Sequence, residues 1–164
     1  MDIYALANNI KAFAFDVDGV MTSGALLLTD EGKYLRTFHI RDGYAIRKAI
    51  DEGFKIVVIS GGIAEGVEKR LKHLGIKDVY MNTNEKEPTL LQWMVDHGIT
   101  NNQLAYMGDD ILDISGMNHA SIKACPADAV FEVKSIANFF SLKNGGDGCV
   151  RDLIELVLKV QSKW

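Results

Sequence analysis

Residues 11–20 read KAFAFDVDGV. A short apolar run that stops at two aspartates and a glycine is the pattern of a buried strand handing its last residues to a loop. Further along, FKIVVIS (54–60) is almost wholly apolar and β-branched and ends at Ser60, Gly61 and Gly62. Such a run suits a parallel strand covered on both faces. LAYMGDD (104–110) repeats the theme, and SIKAC (121–125) and AVFEV (129–133) are further apolar runs, with Asp78–Met81 a weak, short strand.

Helical patterns separate these runs. Tyr44, Ile46, Ala49 and Ile50 lead to Gly53, with Asp42 placed to cap that helix. A helix over Ile63–Leu74 carries Val67, Leu71 and Leu74 on one face and stops at Gly75. Lys86 precedes a helix over Glu87–His97 that tolerates Pro88 in its first turn. Short helical turns follow near Ile114–Met117, and a terminal helix runs near Val150–Val160. About five strands alternating with helices predict an α/β fold with an open, mostly parallel three-layer sheet. One segment departs from the alternation. Residues 25–40 split into ALLLT and YLRTFHI around DEGK, a β-hairpin inserted after the first strand.

The chain has 164 residues, enough for one domain but not for a second substrate domain, and it shows no linker or repeat, so residues 1–164 are read as a single domain. Hydrophobic residues are 48% and charged residues 24%, with 18 Lys plus Arg against 22 Asp plus Glu. Mean hydropathy is near zero at +0.02. The net charge of −4, with no basic tail, argues against nucleic acid as a partner. No stretch is long and apolar enough to span a membrane, and the N-terminus, which leads straight into the first strand, lacks the basic segment of a signal peptide. Cys125 and Cys149 form no metal-ligand or disulfide pattern, which fits a cytoplasmic location.

In open α/β sheets ligands bind beyond the carboxyl ends of the strands. There the sequence places Asp16, Asp18, Ser60, Lys86, Asp109, Asp110 and Asp113. Several acids at one edge repel unless a cation neutralises them, and hard oxygen donors point to Mg²⁺ with phosphate as its partner. Lys86 offsets further charge on a phosphoryl group, and the Ser60 hydroxyl with the backbone N–H groups around Gly61 donates to another oxygen. Asp16 is the expected nucleophile, forming an aspartyl phosphate. Asp18, two residues on, is the expected acid for the leaving alcohol and base for the hydrolytic water.

DVDGV (16–20), Ser60 after VVI, Lys86 before a helix and GDDILD (108–113) resemble the four signature motifs of the haloacid dehalogenase-like phosphohydrolases, in order and over nearly the whole chain. The resemblance implies a Rossmann-like, capless α/β fold and Mg²⁺ held by the Asp16 carboxylate, the Asp18 carbonyl and Asp109, with Asp110 or Asp113 in support. DVDGVMTSG, the hairpin, HIRDGYAIRKA and NGGDGCVRDLIE are similar to the small sugar-acid phosphatases of that family. It implies a phosphorylated 2-keto-3-deoxy sugar acid as substrate and a homotetramer whose neighbouring subunits complete each active site.

Two departures stand out. The family's Thr-Gly-Arg after the second strand is Ser60-Gly61-Gly62 here, and Asp147 stands where the eight-carbon (octulosonate) enzymes carry arginine. The second departure favours a nine-carbon nononate or neuraminate 9-phosphate over 3-deoxy-D-manno-octulosonate 8-phosphate.

Arg41 and Arg151 are the candidate substrate-binding cations, Arg41 having a surface ion pair with Asp42 or a hairpin acid as its alternative. Arg70 reads as an exposed helical residue, and His39, His73, His97 and His119 read as structural. Two other classes stay open. A phosphoacceptor receiver module shares the acids, Ser and Lys but places its acidic pair first and needs no late GDDILD. A structural partner built on the hairpin would use its apolar residues at both strand parities.

Overall fold

The computed structural model describes residues 2–83 and 85–164. In chain order the elements are α1 (Ile3–Ala7), β1 (Ala12–Phe15), β2 (Leu27–Leu28), β3 (Tyr34–Leu35), α2 (Ile40–Asp51), β4 (Lys55–Ile59), α3 (Glu65–His73), β5 (Asp78–Tyr80), α4 (Lys86–His97), β6 (Leu104–Met107), α5 (Ile114–Met117), β7 (Ile122–Cys125), α6 (Phe131–Ile136), β8 (Phe139–Phe140) and α7 (Cys149–Val160). Six strands form one sheet in the order β5-β4-β1-β6-β7-β8, and every neighbouring pair is parallel.

Strand periodicity divides the core. Phe13, Phe15, Ile56 and Val58 face one layer with Ala45, Ile46, Leu71, Leu153 and Ile154. Their alternates Ala12, Ala14, Val57 and Ile59 face the other, with Leu90, Trp93, Met94 and Met117. Because helices cover both faces, a solvated alternation would fail here, which is why these strands read as unbroken apolar runs.

The chain leaves β1 toward β4 and β5, then returns to β6 and continues outward through β7 and β8. The β1–β6 junction is therefore the point where the winding reverses, and a crevice opens there because neighbouring connections depart in opposite directions.

Several local expectations change. A short helix, α1, precedes β1 where a direct entry into the strand was expected, its N-terminus capped by the Asp2 carboxylate accepting from the Tyr4 N–H. The run 129–133 does not form a strand: Phe131 begins α6, and the sixth strand is Phe139–Phe140. Helix α3 starts at Glu65, leaving Ile63 exposed, and Tyr44 on α2 is also exposed. The hairpin forms but pairs only Leu27 with Leu35 and Leu28 with Tyr34.

Asp42 does not cap α2, whose N-cap is His39. Its buried Oδ1 instead accepts from the Arg151 N–H, 2.8 Å away in the first turn of α7. Burial raises the Asp42 carboxyl to about 6 against the opposing pull of that backbone donor. Gly145 secures the same region: a Cβ there would lie 2.0 Å from the Gly19 carbonyl oxygen, so only glycine lets this loop pack on the one after β1.

Candidate active site

Asp16 follows β1 directly and Asp109 lies two residues beyond β6, so the parallel pairing of these strands delivers both acids to the reversal point. Asp113 reaches it from a 3₁₀ turn over Ile111–Asp113. Asp16, Asp109 and Asp113 each offer a carboxylate oxygen within 4.8 Å of the others. Gly19 makes that approach possible. It sits at φ +93°, and a Cβ on it would fall 2.0 Å from Asp109 Oδ2.

Lys86 enters from the first residue of α4, and its buried Nζ lies 2.8 Å from Asp16 Oδ1 and 2.8 Å from Asp113 Oδ1. Asp113 is fully buried and saturated. Its Oδ1 also accepts from the Tyr106 hydroxyl at 3.1 Å, and its Oδ2 accepts from the Asp109 N–H at 3.1 Å and the Asp110 N–H at 3.4 Å. By contrast Asp109 Oδ1 is buried with no hydrogen-bond partner.

Three acids against one lysine leave the cluster short of positive charge. Burial, reinforced by Asp113 and only partly relieved by Lys86, pushes Asp16 up to about 6. Burial and the neighbouring Asp16, Asp113 and Asp110 push Asp109 up to about 8. Burial by itself would lower Lys86, but Asp113 and Asp16 outweigh it and hold the ammonium above its usual value. A divalent cation fits this arrangement: it would give the orphaned Asp109 oxygen a partner, and hard carboxylate oxygens suit Mg²⁺.

Asp18 lies on the same loop as Asp16 but points to a different cation. Arg36, just after β3, sets Nε 2.6 Å from Asp18 Oδ1 and Nη2 3.0 Å from Oδ2. Thr22 adds a hydroxyl donor to Oδ1 at 3.2 Å. Ser60 is buried at the end of β4, where its Oγ accepts from the Gly62 N–H at 3.2 Å, and Gly61 is exposed between them.

Three sequence candidates stay outside the cluster. Asp110 is exposed, and its Oδ1 accepts from the Ile111 N–H at 2.7 Å, capping its own turn. Arg41 is exposed on the first turn of α2 and shares a surface cleft with Lys143 and Arg151. Arg151 turns along its own helix, with Nε 2.8 Å from Glu155 Oε2 and its guanidinium 5.1 Å from the Trp164 ring. Sequence reading missed Arg36. The available signal was a lone cation in the second hairpin run, YLRTFHI, near an acid with no assigned partner.

A cleft of about 610 Å³ lies at the opposite edge of the sheet among Ile10, Lys11, Phe54, Lys55 and Gln103. It lacks the carboxylate cluster, so chemistry and not cavity size locates the site. Among the described residues no helix is long and apolar enough to cross a membrane.

No protein-family model matches the chain. Over 155 residues it is 34% identical to the 3-deoxy-D-manno-octulosonate 8-phosphate phosphatase of Haemophilus influenzae, an alignment covering 94% of this chain and 86% of that protein. The crystal structure of the Moraxella catarrhalis phosphatase of that name, in complex with magnesium, phosphate and the KDO molecule, superposes with a TM-score of 0.94 at 30% identity, covering 98% of this chain and 92% of that one. A haloacid dehalogenase superfamily hydrolase of subfamily III A from Legionella pneumophila gives 0.95 at 29% identity, covering 98% and 88%. With the motif residues converging at the β1–β6 junction and identity of this extent along the chain, the protein belongs to the haloacid dehalogenase-like phosphatases, in the branch that holds the 3-deoxy-D-manno-octulosonate 8-phosphate phosphatases.

Proposed function

We propose that this chain is a Mg²⁺-dependent phosphatase that hydrolyses 3-deoxy-D-manno-octulosonate 8-phosphate to the free sugar acid and inorganic phosphate. The observation that carries the reaction is the Asp16–Lys86–Asp113 ion network beside Asp109 at the winding reversal. Support for the eight-carbon substrate comes from the relatives, and it outweighs the nine-carbon preference drawn from Asp147, which is exposed on the loop ahead of α7.

Bound Mg²⁺ supplies charge neutralisation between the attacking carboxylate and the phosphoryl dianion. Asp16 and Asp109 are its direct ligands in this reading, joined by the Asp18 backbone carbonyl. Asp113, with both oxygens already accepting donors, orients Lys86 and the 109–110 backbone. Lys86 holds Asp16 Oδ1 and so fixes the nucleophile. An Asp16 oxygen attacks phosphorus, the P–O bond to the sugar breaks, and Asp18 delivers a proton to the leaving oxygen. Asp18 then takes a proton from water as that water attacks the aspartyl phosphate, releasing phosphate and restoring Asp16. Ser60 and the Gly61 N–H donate to the transferring group.

The expected result of a substrate panel with Mg²⁺ is a kcat/KM for the octulosonate ester at least about tenfold above those for a nononate 9-phosphate and for hexose phosphates. Faster turnover of the nine-carbon ester restores the other reading. Equal turnover of hexose phosphates removes both.

Residues 1–164 work as one catalytic domain in this proposal, and four copies assemble. Leu26, Leu27, Leu28, Tyr34 and Leu35 are all exposed on a hairpin too short to be stable by itself, which favours its packing on a neighbouring subunit that walls the site. Sedimentation should give a tetramer, and a monomer at micromolar concentration refutes it. The buried, unpaired thiols of Cys125 and Cys149 suit work in the reducing cytoplasm.

A further inference from the structure

Arg36 is an inward-facing cation on an otherwise solvated arm. The hairpin residues that lead to it, Tyr34 and Leu35, are exposed, yet the Arg36 side chain keeps only 9% of its accessible surface. Its guanidinium fork engages both oxygens of Asp18, at 2.6 and 3.0 Å. Gly62 adjoins both it and Ser60. A Cβ built on Gly62 would lie 3.2 Å from Asp18 Oδ2, 3.5 Å from Arg36 Nη2 and 3.5 Å from Ser60 Oγ, so the absence of a side chain at position 62 leaves the space around the guanidinium open.

The site thus holds two separate cations. Lys86 is committed to Asp16 and Asp113 on the side where the phosphoryl group must sit. Arg36 lies with Asp18 on the side of the leaving group, because the acid that protonates a leaving oxygen has to adjoin it. The fork holds both Asp18 oxygens, and Thr22 holds Oδ1 as well, so the carboxylate is kept facing the guanidinium and not a leaving group.

We propose that Arg36 is the residue that recognises the carboxylate of the departing sugar acid, and that Asp18 occupies its guanidinium only until that carboxylate arrives. The inference rests on the phosphatase reading above and names how that site selects acids. A guanidinium pairs bidentately with one carboxylate as well as with another, so the exchange conserves its charge-assisted hydrogen bonds. Released from the guanidinium, Asp18 takes up a proton from water and faces the leaving oxygen while Thr22 still tethers it. A phosphate ester without a carboxylate offers nothing to displace Asp18, so binding of the correct leaving group is spent on assembling the catalytic acid.

The test compares 3-deoxy-D-manno-octulosonate 8-phosphate with D-arabinose 5-phosphate, an ester lacking the carboxylate, on the full chain with Mg²⁺ and on its Arg36→Gln and Arg36→Lys variants. The expected result is that the ratio of kcat/KM for the sugar acid over the ester lacking a carboxylate falls about tenfold to a hundredfold in Arg36→Gln, chiefly through a higher KM for the sugar acid. Arg36→Lys, a cation without the fork, should fall between. Because the ratio is taken within one preparation, a partly unfolded variant does not alter it. Equal fractional losses on both esters overturn Arg36 as the carboxylate reader and leave the phosphatase reading standing. A parent enzyme with no preference for the acid overturns the substrate class and this inference with it.

Discussion

Asp16→Asn is expected to lower Mg²⁺-dependent phosphate release by a factor on the order of 10⁴ or more, since an amide oxygen cannot form the covalent phosphoryl intermediate. The substitution is close to isosteric, and the amide oxygen can still accept from the Lys86 Nζ that now lies 2.8 Å from Oδ1. The fold should therefore survive. Its stability without metal should hold or rise, because Asp16 is a buried acid already pushed up to about 6 by burial and by Asp113, and the amide removes one charge from a crowded cluster. Phosphate release and thermal melting on the same preparation separate the two effects. Turnover within tenfold of the parent would show that Asp16 is not the nucleophile, whereas a collapsed melting temperature would show that the carboxylate is structural.

Chelation of Mg²⁺ is the second change with a large expected effect: turnover should fall to background and return when Mg²⁺ is restored. The same cluster makes this metal dependence a function of pH. In the metal-free protein Asp109 is pushed up to about 8 and Asp16 up to about 6, above the ordinary aspartate range of the unfolded chain. The folded state then binds more protons than the unfolded state between roughly pH 4 and 8. These two groups' contribution to stability is complete below that window and is lost as pH rises through it. A cation that binds only the folded cluster competes with those protons, so its apparent affinity and its stabilisation both grow with pH. Thermal melts with and without Mg²⁺ between about pH 5.5 and 8.5 should show the metal-free melting temperature falling and the gap widening. A gap that stays constant or narrows would mean that the raised acids are not the metal's ligands.

Much of the site was legible because of one physical circumstance. A parallel strand covered on both faces must be apolar until it leaves the sheet, so the first polar residue after each run marks the carboxyl edge, and Asp16, Ser60 and Asp109 announce themselves. Lys86 was readable as the start of the next helix. What one-dimensional spacing hides is direction. GDDILD holds three acids, and only the 3₁₀ turn over Ile111–Asp113 decides that Asp113 is buried against Lys86 and Tyr106 while Asp110 turns outward. Asp42 looked like a cap for the helix that carries it, yet it serves α7, more than a hundred residues later in the chain, because α2 and α7 pack side by side and its own helix starts three residues too early.

The sequence by itself determined the α/β class, five of the six strands of the main sheet and the placing of Asp16, Ser60, Lys86, Asp109 and Asp113 at its carboxyl edge, since burial periodicity and turn chemistry are local properties of the chain. Only the tertiary structure decided the partners. Arg36 meets Asp18 because a hairpin folds back over the first catalytic loop, and a contact between residues eighteen apart on either side of it leaves no periodic trace. The Asp109 carboxyl is raised to about 8 for the same reason: burial, Asp16 and Asp113 act together, and the first two come with the β1–β6 pairing.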